Sequence, residues 1–331
     1  PGASLEQPRT DVLGFLRDRA QTYDPETEST VDMEPWQIAV LDTLRKEAYY
    51  FAPQKMTKVM NEGWASIYES LMMSEEGFAS ENEFLTYADH QSRVLGSPGL
   101  NPYKLGKELW EYIENTANRR EVVDKLLRVE GITWRNFHDK LDFDRVRSLL
   151  EPDPRIDRIT PQTVDELQTL PDDDPRVDWE TLDRALSNPE SVDIDQYPWK
   201  VLTYEGLASR HFSLVKPQNR GFISQIRHEE LEQLDRYLFD SDRYDTVEAA
   251  LEEVSKTAGW ERMLEVRESH NDVTFIDEFL SEEFVSTNNY FTYEYTQTTE
   301  DFRVASTDPD DVKQKLLLSF TNFGKPTIAV F

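Results

Sequence analysis

Cysteine is absent from the 331 residues, which together excludes a disulfide scaffold, a thiol nucleophile, thiolate zinc sites and cysteine-ligated iron–sulfur clusters. Long apolar runs are missing as well. No stretch approaches the ~20 residues of a membrane helix, and apolar runs such as Leu316–Leu318 with Phe320 are short. Basic residues are scarce: 36 Lys and Arg face 65 Asp and Glu, a formal charge of −29. A chain so short of cations is a poor partner for nucleic acid, where affinity comes from neutralising phosphates, and for anionic membrane surfaces. Glycine-rich phosphate loops, His-Glu-x-x-His, Gly-x-Ser-x-Gly and EF-hand spacings do not occur. The five histidines, His90, His138, His211, His228 and His270, lie far apart. The amino terminus, Pro1-Gly-Ala-Ser-Leu-Glu6, has neither an initiator Met nor a basic run leading into an apolar one. The expectation is therefore a cytoplasmic protein without a membrane span, seen here as a fragment.

What is present can build cores: 38% of residues are hydrophobic and 11% aromatic, and the length suggests about two domains. Carboxylates are spread along the whole chain rather than gathered in one tail, and Arg outnumbers Lys. This pattern reads as the coat of a halophilic, salt-adapted acidic protein rather than as the docking face for a basic partner. In molar salt the Debye length falls to ~3 Å, and self-repulsion is screened.

The periodicity predicts an α+β protein, with a mainly α-helical N-terminal region and a smaller mixed α+β C-terminal domain. A short helix over Asp11–Arg19 precedes a polar loop. Asp32 and Pro35 then open a helix carrying Ile38, Leu41, Leu44, Ala48 and Phe51, which Pro53 ends. A second long helix spans about Lys55–Met73, with Met56, Met60, Trp64, Ile67 and Leu71 on one stripe. Gly77 breaks it, and Ser80 with Glu83 reads as a capping box for a third. Helical patterns continue from Tyr103 to about Leu150, making residues 1–150 one all-helical region. Residues 151–198, rich in Pro and Asp, read as a solvated linker or insertion. Residues 199–270 are mixed and mainly helical, with helices near Glu229–Tyr237 and Val247–Ala258. Residues 271–331 form an α+β domain: a helix over Val273–Phe284, strands over Asn289–Thr296 and Phe302–Ser306, a helix over Asp310–Phe320 and a last strand at Thr327–Phe331.

Phe51-Ala-Pro-Gln-Lys-Met-Thr-Lys-Val-Met-Asn-Glu-Gly-Trp-Ala-Ser66 resembles the hallmark of the SpoVR (stage V sporulation protein R) family. The resemblance extends through Glu34-Pro-Trp-Gln37, Leu100-Asn-Pro-Tyr-Lys-Leu-Gly106 and His270-Asn-Asp-Val-Thr-Phe-Ile-Asp-Glu-Phe-Leu280, and leaves out about 150–260. It implies a longer parent protein, with paired histidines upstream and more sheet downstream. It also implies a role in sporulation and spore cortex formation, or in stress response in organisms that form no spores, with a serine protein kinase as the implied partner.

Glu62 and Glu69 are seven residues apart, two turns of one helix, so both carboxylates share a face. Two readings of the pair stand. Inward-facing carboxylates and imidazoles are how helical bundles hold a divalent metal, whereas carboxylates opposite an apolar stripe are ordinarily a solvated face. The resemblance adds His90, at a position where the family has a histidine, and it departs from the family at Glu69, where a histidine is usual. On the metal reading, Glu62, Glu69 and His90 are ligands of a metal-dependent enzyme, with Glu62 also its general acid or base. On the other reading the protein is a non-catalytic regulator or scaffold working with the kinase. Asn61 and Trp64 read as supporting or packing residues, Glu47 as surface, Arg45 and Lys58 as ion-pairing or anion-binding. Asn271 and Asp272 read as caps of the helix that follows them.

Overall fold

A computed structural model of the chain describes residues 11–75, 81–96, 101–157, 159–213, 223–239, 242–296 and 301–321. Two compact units divide it, one holding residues up to Lys58 and the other running from Val59 to Phe323.

In the first unit, Asp11 accepts the Gly14 amide at 2.7 Å and so starts α1 (Val12–Arg19), which closes at Ala20 in the left-handed region (φ 50°). The polar loop expected next is instead an antiparallel hairpin, β1 (Gln21–Asp24) with β2 (Ser29–Asp32), pairing Thr22 with Val31 and Tyr23 with Thr30. Thr, Tyr and Val are good strand residues. The Asp24 carboxylate shapes the turn by accepting from the Glu26 amide and the Thr27 hydroxyl. Residues 1–150 are therefore not wholly helical. Helix α2 (Pro35–Met56) is capped by Glu34 with Gln37 rather than by Asp32, and it runs on through Pro53. That proline sits one turn from the end and forfeits a single backbone bond, which the helix tolerates. The expected stripe does not become core, since no residue of α2 is buried. Arg45 pairs with Asp11 at 2.5 Å and Arg17 with Asp42 at 3.2 Å, joining α1 to α2 through charge, so Arg45 is an ion-pairing residue.

The second unit opens with α3 (Lys58–Ser70), which passes into one π-helical turn over Leu71–Glu75. Next come α4 (Glu81–Leu95) and α5 (Pro102–Leu127), the latter started by Asn101, whose Oδ1 accepts the Tyr103 and Lys104 amides. Gly77 and Ser80, expected to break and cap this stretch, lie outside the described residues. Two short helices follow, α6 (Phe137–Lys140) and α7 (Phe143–Leu150).

Residues 151–198, read as a solvated linker or insertion, contain α8 (Pro154–Asp157), α9 (Trp179–Ser187) and short 3₁₀ turns. They enclose apolar side chains of their own, among them Ile156, Leu167, Leu170 and Leu182. Asp153 and Asp174 grip Arg155 and Arg176 through paired hydrogen bonds. These two carboxylates are thus spent on internal ion pairs.

The remaining elements are α10 (Tyr204–Ser213), α11 (His228–Asp235), α12 (Val247–Glu252), α13 (Ala258–Ser269), α14 (Asp272–Phe279), α15 (Glu282–Thr287), β3 (Thr292–Thr296), β4 (Asp301–Ser306) and α16 (Pro309–Thr321). The single helix expected over Val273–Phe284 is two, because Ser281 accepts the Phe284 amide and starts a new one. β3 and β4 pair antiparallel, and the strand expected at Thr327–Phe331 falls outside the described residues. The protein is mainly helical with a small mixed part. Among the described residues no helix is long and apolar enough to cross a membrane.

Helix α5 is the spine. Its first half buries Leu105, Leu109, Trp110 and Ile113 in a core shared with α3, α13, α14 and α16. Its second half buries Val122, Val123, Leu126 and Leu127 in another core, with Phe137, Val146, Leu231 and Leu251. Between the two, Asn118 accepts the Gly259 amide at 2.9 Å, and Arg119, 7% exposed, makes a bidentate pair with Glu283 at 2.5 and 2.9 Å.

The hydrogen bond from Arg119 holds the Glu283 carboxyl below the usual range against the cost of its partial burial. The stabilisation is thus complete above the ordinary glutamate pKa of ~4.3 and is lost as pH falls through the depressed folded value. Glu283→Gln is expected to cost about 1–2 kcal/mol at pH 7, discounted for its exposure, and much less under acid conditions. Urea unfolding at both pH values checks this; an equal cost at each would contradict it.

Candidate functional site

Three segments far apart in sequence meet at the start of α3. The first four amides of a helix lack partners within it, and here two of them find one from 212 and 213 residues away. Val59 N donates to Asp272 Oδ2 at 2.9 Å and Met60 N to Asp272 Oδ1 at 3.0 Å. Asp272 is fully buried (0% exposed), so these bonds, together with the favourable N-terminal end of the helix dipole, hold a carboxylate that is cut off from water. Its own helix is capped by its neighbour: Asn271 Oδ1 accepts the Val273 and Thr274 amides. The expectation that both residues cap α14 is therefore right for Asn271, whereas Asp272 reaches across to α3.

One turn further along α3, Gly63 lies against Gly106 of α5. A Cβ at Gly63 would stand 2.2 Å from the Gly106 carbonyl carbon, and one at Gly106 would stand 2.2 Å from the Val59 carbonyl oxygen. Only glycine allows this approach. It brings Trp110 close enough for its indole to donate to the Met60 carbonyl at 3.0 Å. Trp110 packs on Phe275 of α14 at 4.7 Å between ring centroids and edge-on to Trp64 at 5.1 Å. Trp64 is half-buried, its ring covered by the Arg267 guanidinium at 4.4 Å.

The predicted site residues lie along the other side of α3. Glu62 and Glu69 are both half-buried. At the start of α5, the Tyr103 phenol lies beside Glu62, whose carboxylate raises the tyrosine's pKa. Glu69 accepts from Gln91 Nε2 of α4 at 2.7 Å, while Gln91 Oε1 is buried with no hydrogen-bond partner among the described residues. Nearby, the Ser70 hydroxyl accepts from Lys107 at 2.8 Å and from Tyr87 at 2.9 Å. His90 is exposed on α4, with its neighbour Gln91 turned inward instead. Thus Glu69 is tied to α4 by a neutral donor, whereas Glu62 lies beside the start of α5. Among the described residues, no three His, Asp or Glu side chains are placed to hold a metal ion.

The other singled-out residues are structural. Asn61, Glu47 and Lys58 are exposed. His138 bonds the Ile226 carbonyl and stacks on His228, and His270 bonds Ser269 and Glu278. The side chain of His211 lies outside the described residues. Sequence reasoning missed Tyr103, Gln91 and the reach of Asp272. Tyr103 and Asp272 do fall within the quoted runs, but no spacing rule pairs positions so distant.

The model of the family described as "SpoVR like protein" matches residues 2–142 and 229–325. These stretches contain α3, α5 and α14 and leave out the separately cored segment between them. The chain is 33% identical over 130 residues to the uncharacterized protein YcgB of Escherichia coli (strain K12), covering 36% of this chain and 24% of that protein. It therefore aligns with about a quarter of the length of the curated relative. No solved structure matches.

Two amides lose their partner in Asp272→Ala, but in Asn271→Ala only a surface cap is lost. The first is expected to destabilise by about 3 kcal/mol or more and the second by about 1 kcal/mol, as read by chemical denaturation. Gly63→Ala should resemble the first, because backbone cannot move aside for a methyl group.

Proposed function

The chain belongs to the SpoVR family, and from that premise we propose that its helical core is a non-catalytic regulatory or scaffold module. The observation that carries this reading is how the motif segments use their polar groups. The Asp272 carboxylate, the Trp110 indole and the Gly63–Gly106 contact are all spent in holding α3, α5 and α14 to one another. Glu69 is likewise engaged by Gln91, and Glu62 lies beside the Tyr103 phenol. A site arranged in this way presents a fixed surface rather than a poised acid, base or nucleophile. The finer parts of the proposal are a role in spore cortex formation or stress response and a serine protein kinase as partner; they rest on resemblance to the family.

One observation favours a second reading, in which Glu69 takes part in a divalent-metal site. Gln91 Oε1, buried and without a hydrogen-bond partner among the described residues, is a hard oxygen donor on the very amide that contacts Glu69, and oxygen donors suit magnesium, calcium or manganese. Glu62 and His90 would need to turn toward it, or ligands from beyond this chain would need to complete it.

Elemental analysis of the purified chain separates the readings. The scaffold reading predicts substoichiometric metal that does not change in Glu62→Ala or Glu69→Ala, with both variants retaining kinase binding in a purified mixture. Stoichiometric metal lost in Glu69→Ala would overturn it.

A further inference from the structure

Carboxylates outnumber bases by nearly two to one in this chain, so a surface depression whose described charged residues are all bases runs against its composition. Such a depression exists. A cavity of about 630 Å³ opens between the start of α5, the turn leading from α15 into β3, the hairpin β3–β4 and α16. Lys104, Arg303 and Lys315 line it, and among the described residues no Asp or Glu does. The remaining wall is largely apolar and aromatic, including Tyr290, Tyr293, Val304 and Leu316. This size and mix are those of small-molecule sites rather than of macromolecular interfaces.

The nearby carboxylates do not cancel the bases. Glu108, beside the cavity, accepts the Tyr290 hydroxyl at 2.6 Å and lies 3.9 Å from Lys104. Glu294 stands opposite Arg303 in the strand register. Yet among the described residues neither Arg303 nor Lys315 makes an ion pair, and both are exposed. The floor is fixed: Tyr290 stacks on Phe284 at 5.5 Å, and Val312 and Leu316 are buried core residues. Two uncommitted cations at the rim of a rigid apolar bowl match a ligand with a negative head and an apolar body.

We propose that this cavity is a binding site for a small amphipathic anion, an aromatic or other apolar body bearing a carboxylate, phosphate or sulfonate. The apolar body sits against Tyr290, Tyr293 and Val304, and the head group meets Arg303 and Lys315. Nothing in this depends on whether the α3 region is a scaffold.

The test is fluorescence titration of the full chain with 1-anilinonaphthalene-8-sulfonate, alongside its uncharged counterpart N-phenyl-1-naphthylamine, at 0.1 M ionic strength or about that, where charge is incompletely screened. One saturable site for the sulfonate is expected. Its affinity should fall about tenfold or more, equivalent to ~1.4 kcal/mol, in the double variant Arg303→Glu with Lys315→Glu, and should survive Arg303→Lys. Val304→Trp, which keeps every charge and fills the bowl at an exposed position, should abolish binding of both probes. Thermal melts confirm that each variant is folded, as expected for surface positions. Unchanged sulfonate affinity in the charge-reversed protein, equal affinity for the two probes in the unaltered one, or full binding by Val304→Trp would overturn the proposal.

Discussion

A buried carboxylate must be satisfied on every side, and in this protein that requirement organises a whole unit. Asp272 has no access to water, so it is tolerable only with charge-favouring donors in place. Those donors are the amides of Val59 and Met60, free only because α3 begins there. The position of α3 is thereby set relative to α14. With the helix start pinned, Gly63 falls against Gly106, the Met60 carbonyl meets the Trp110 indole, and Trp110 reaches Phe275. A shift of α3 by one residue would take these two amides from the carboxylate and drive a side chain into the α5 backbone. The constraint is geometric as much as energetic, because two hydrogen bonds and one glycine contact share a single register.

This arrangement gives the family motifs a physical meaning. Among the described residues they form the contacts at which three helices meet, and beside them Glu69 reaches α4 through Gln91 while Glu62 lies next to Tyr103 of α5. The acidic coat is spread elsewhere and is consumed in part by pairs such as Arg176 with Asp174. Against that background the cation-lined bowl beside β3 and β4 stands out through a local reversal of charge that total composition conceals.

Features governed by near neighbours could be read from the sequence. Asn271 capping α14 and the helical spacing of Leu105, Leu109 and Ile113 are local facts, and the structure repeats them. Features decided by competition or distance could not. The hairpin at residues 21–32 is a run of polar letters until its register pairs Thr22 with Val31. Pro53 ends a helix by rule, yet near a helix end it costs too little to do so. The segment after Glu151 looked solvated because its aspartates were counted as surface charge, although Asp153 and Asp174 clamp arginines over a small core. At the candidate site, the shared face of Glu62 and Glu69 was legible from spacing. Their neighbours Tyr103 and Gln91 belong to other helices and were not. The role of Asp272 depends on an interaction across more than two hundred residues, which no local pattern encodes.

The central claim is that Asp272 locks the first turn of α3, and amide hydrogen exchange at Val59 and Met60 measures that most directly. Amides at a helix start ordinarily exchange through local fraying. The account predicts that these two exchange as slowly as the buried amides of α5, by opening of the whole unit, and that Asp272→Asn speeds them selectively. Fast exchange of Val59 and Met60 in the unaltered protein, at rates typical of a frayed terminus, would contradict it.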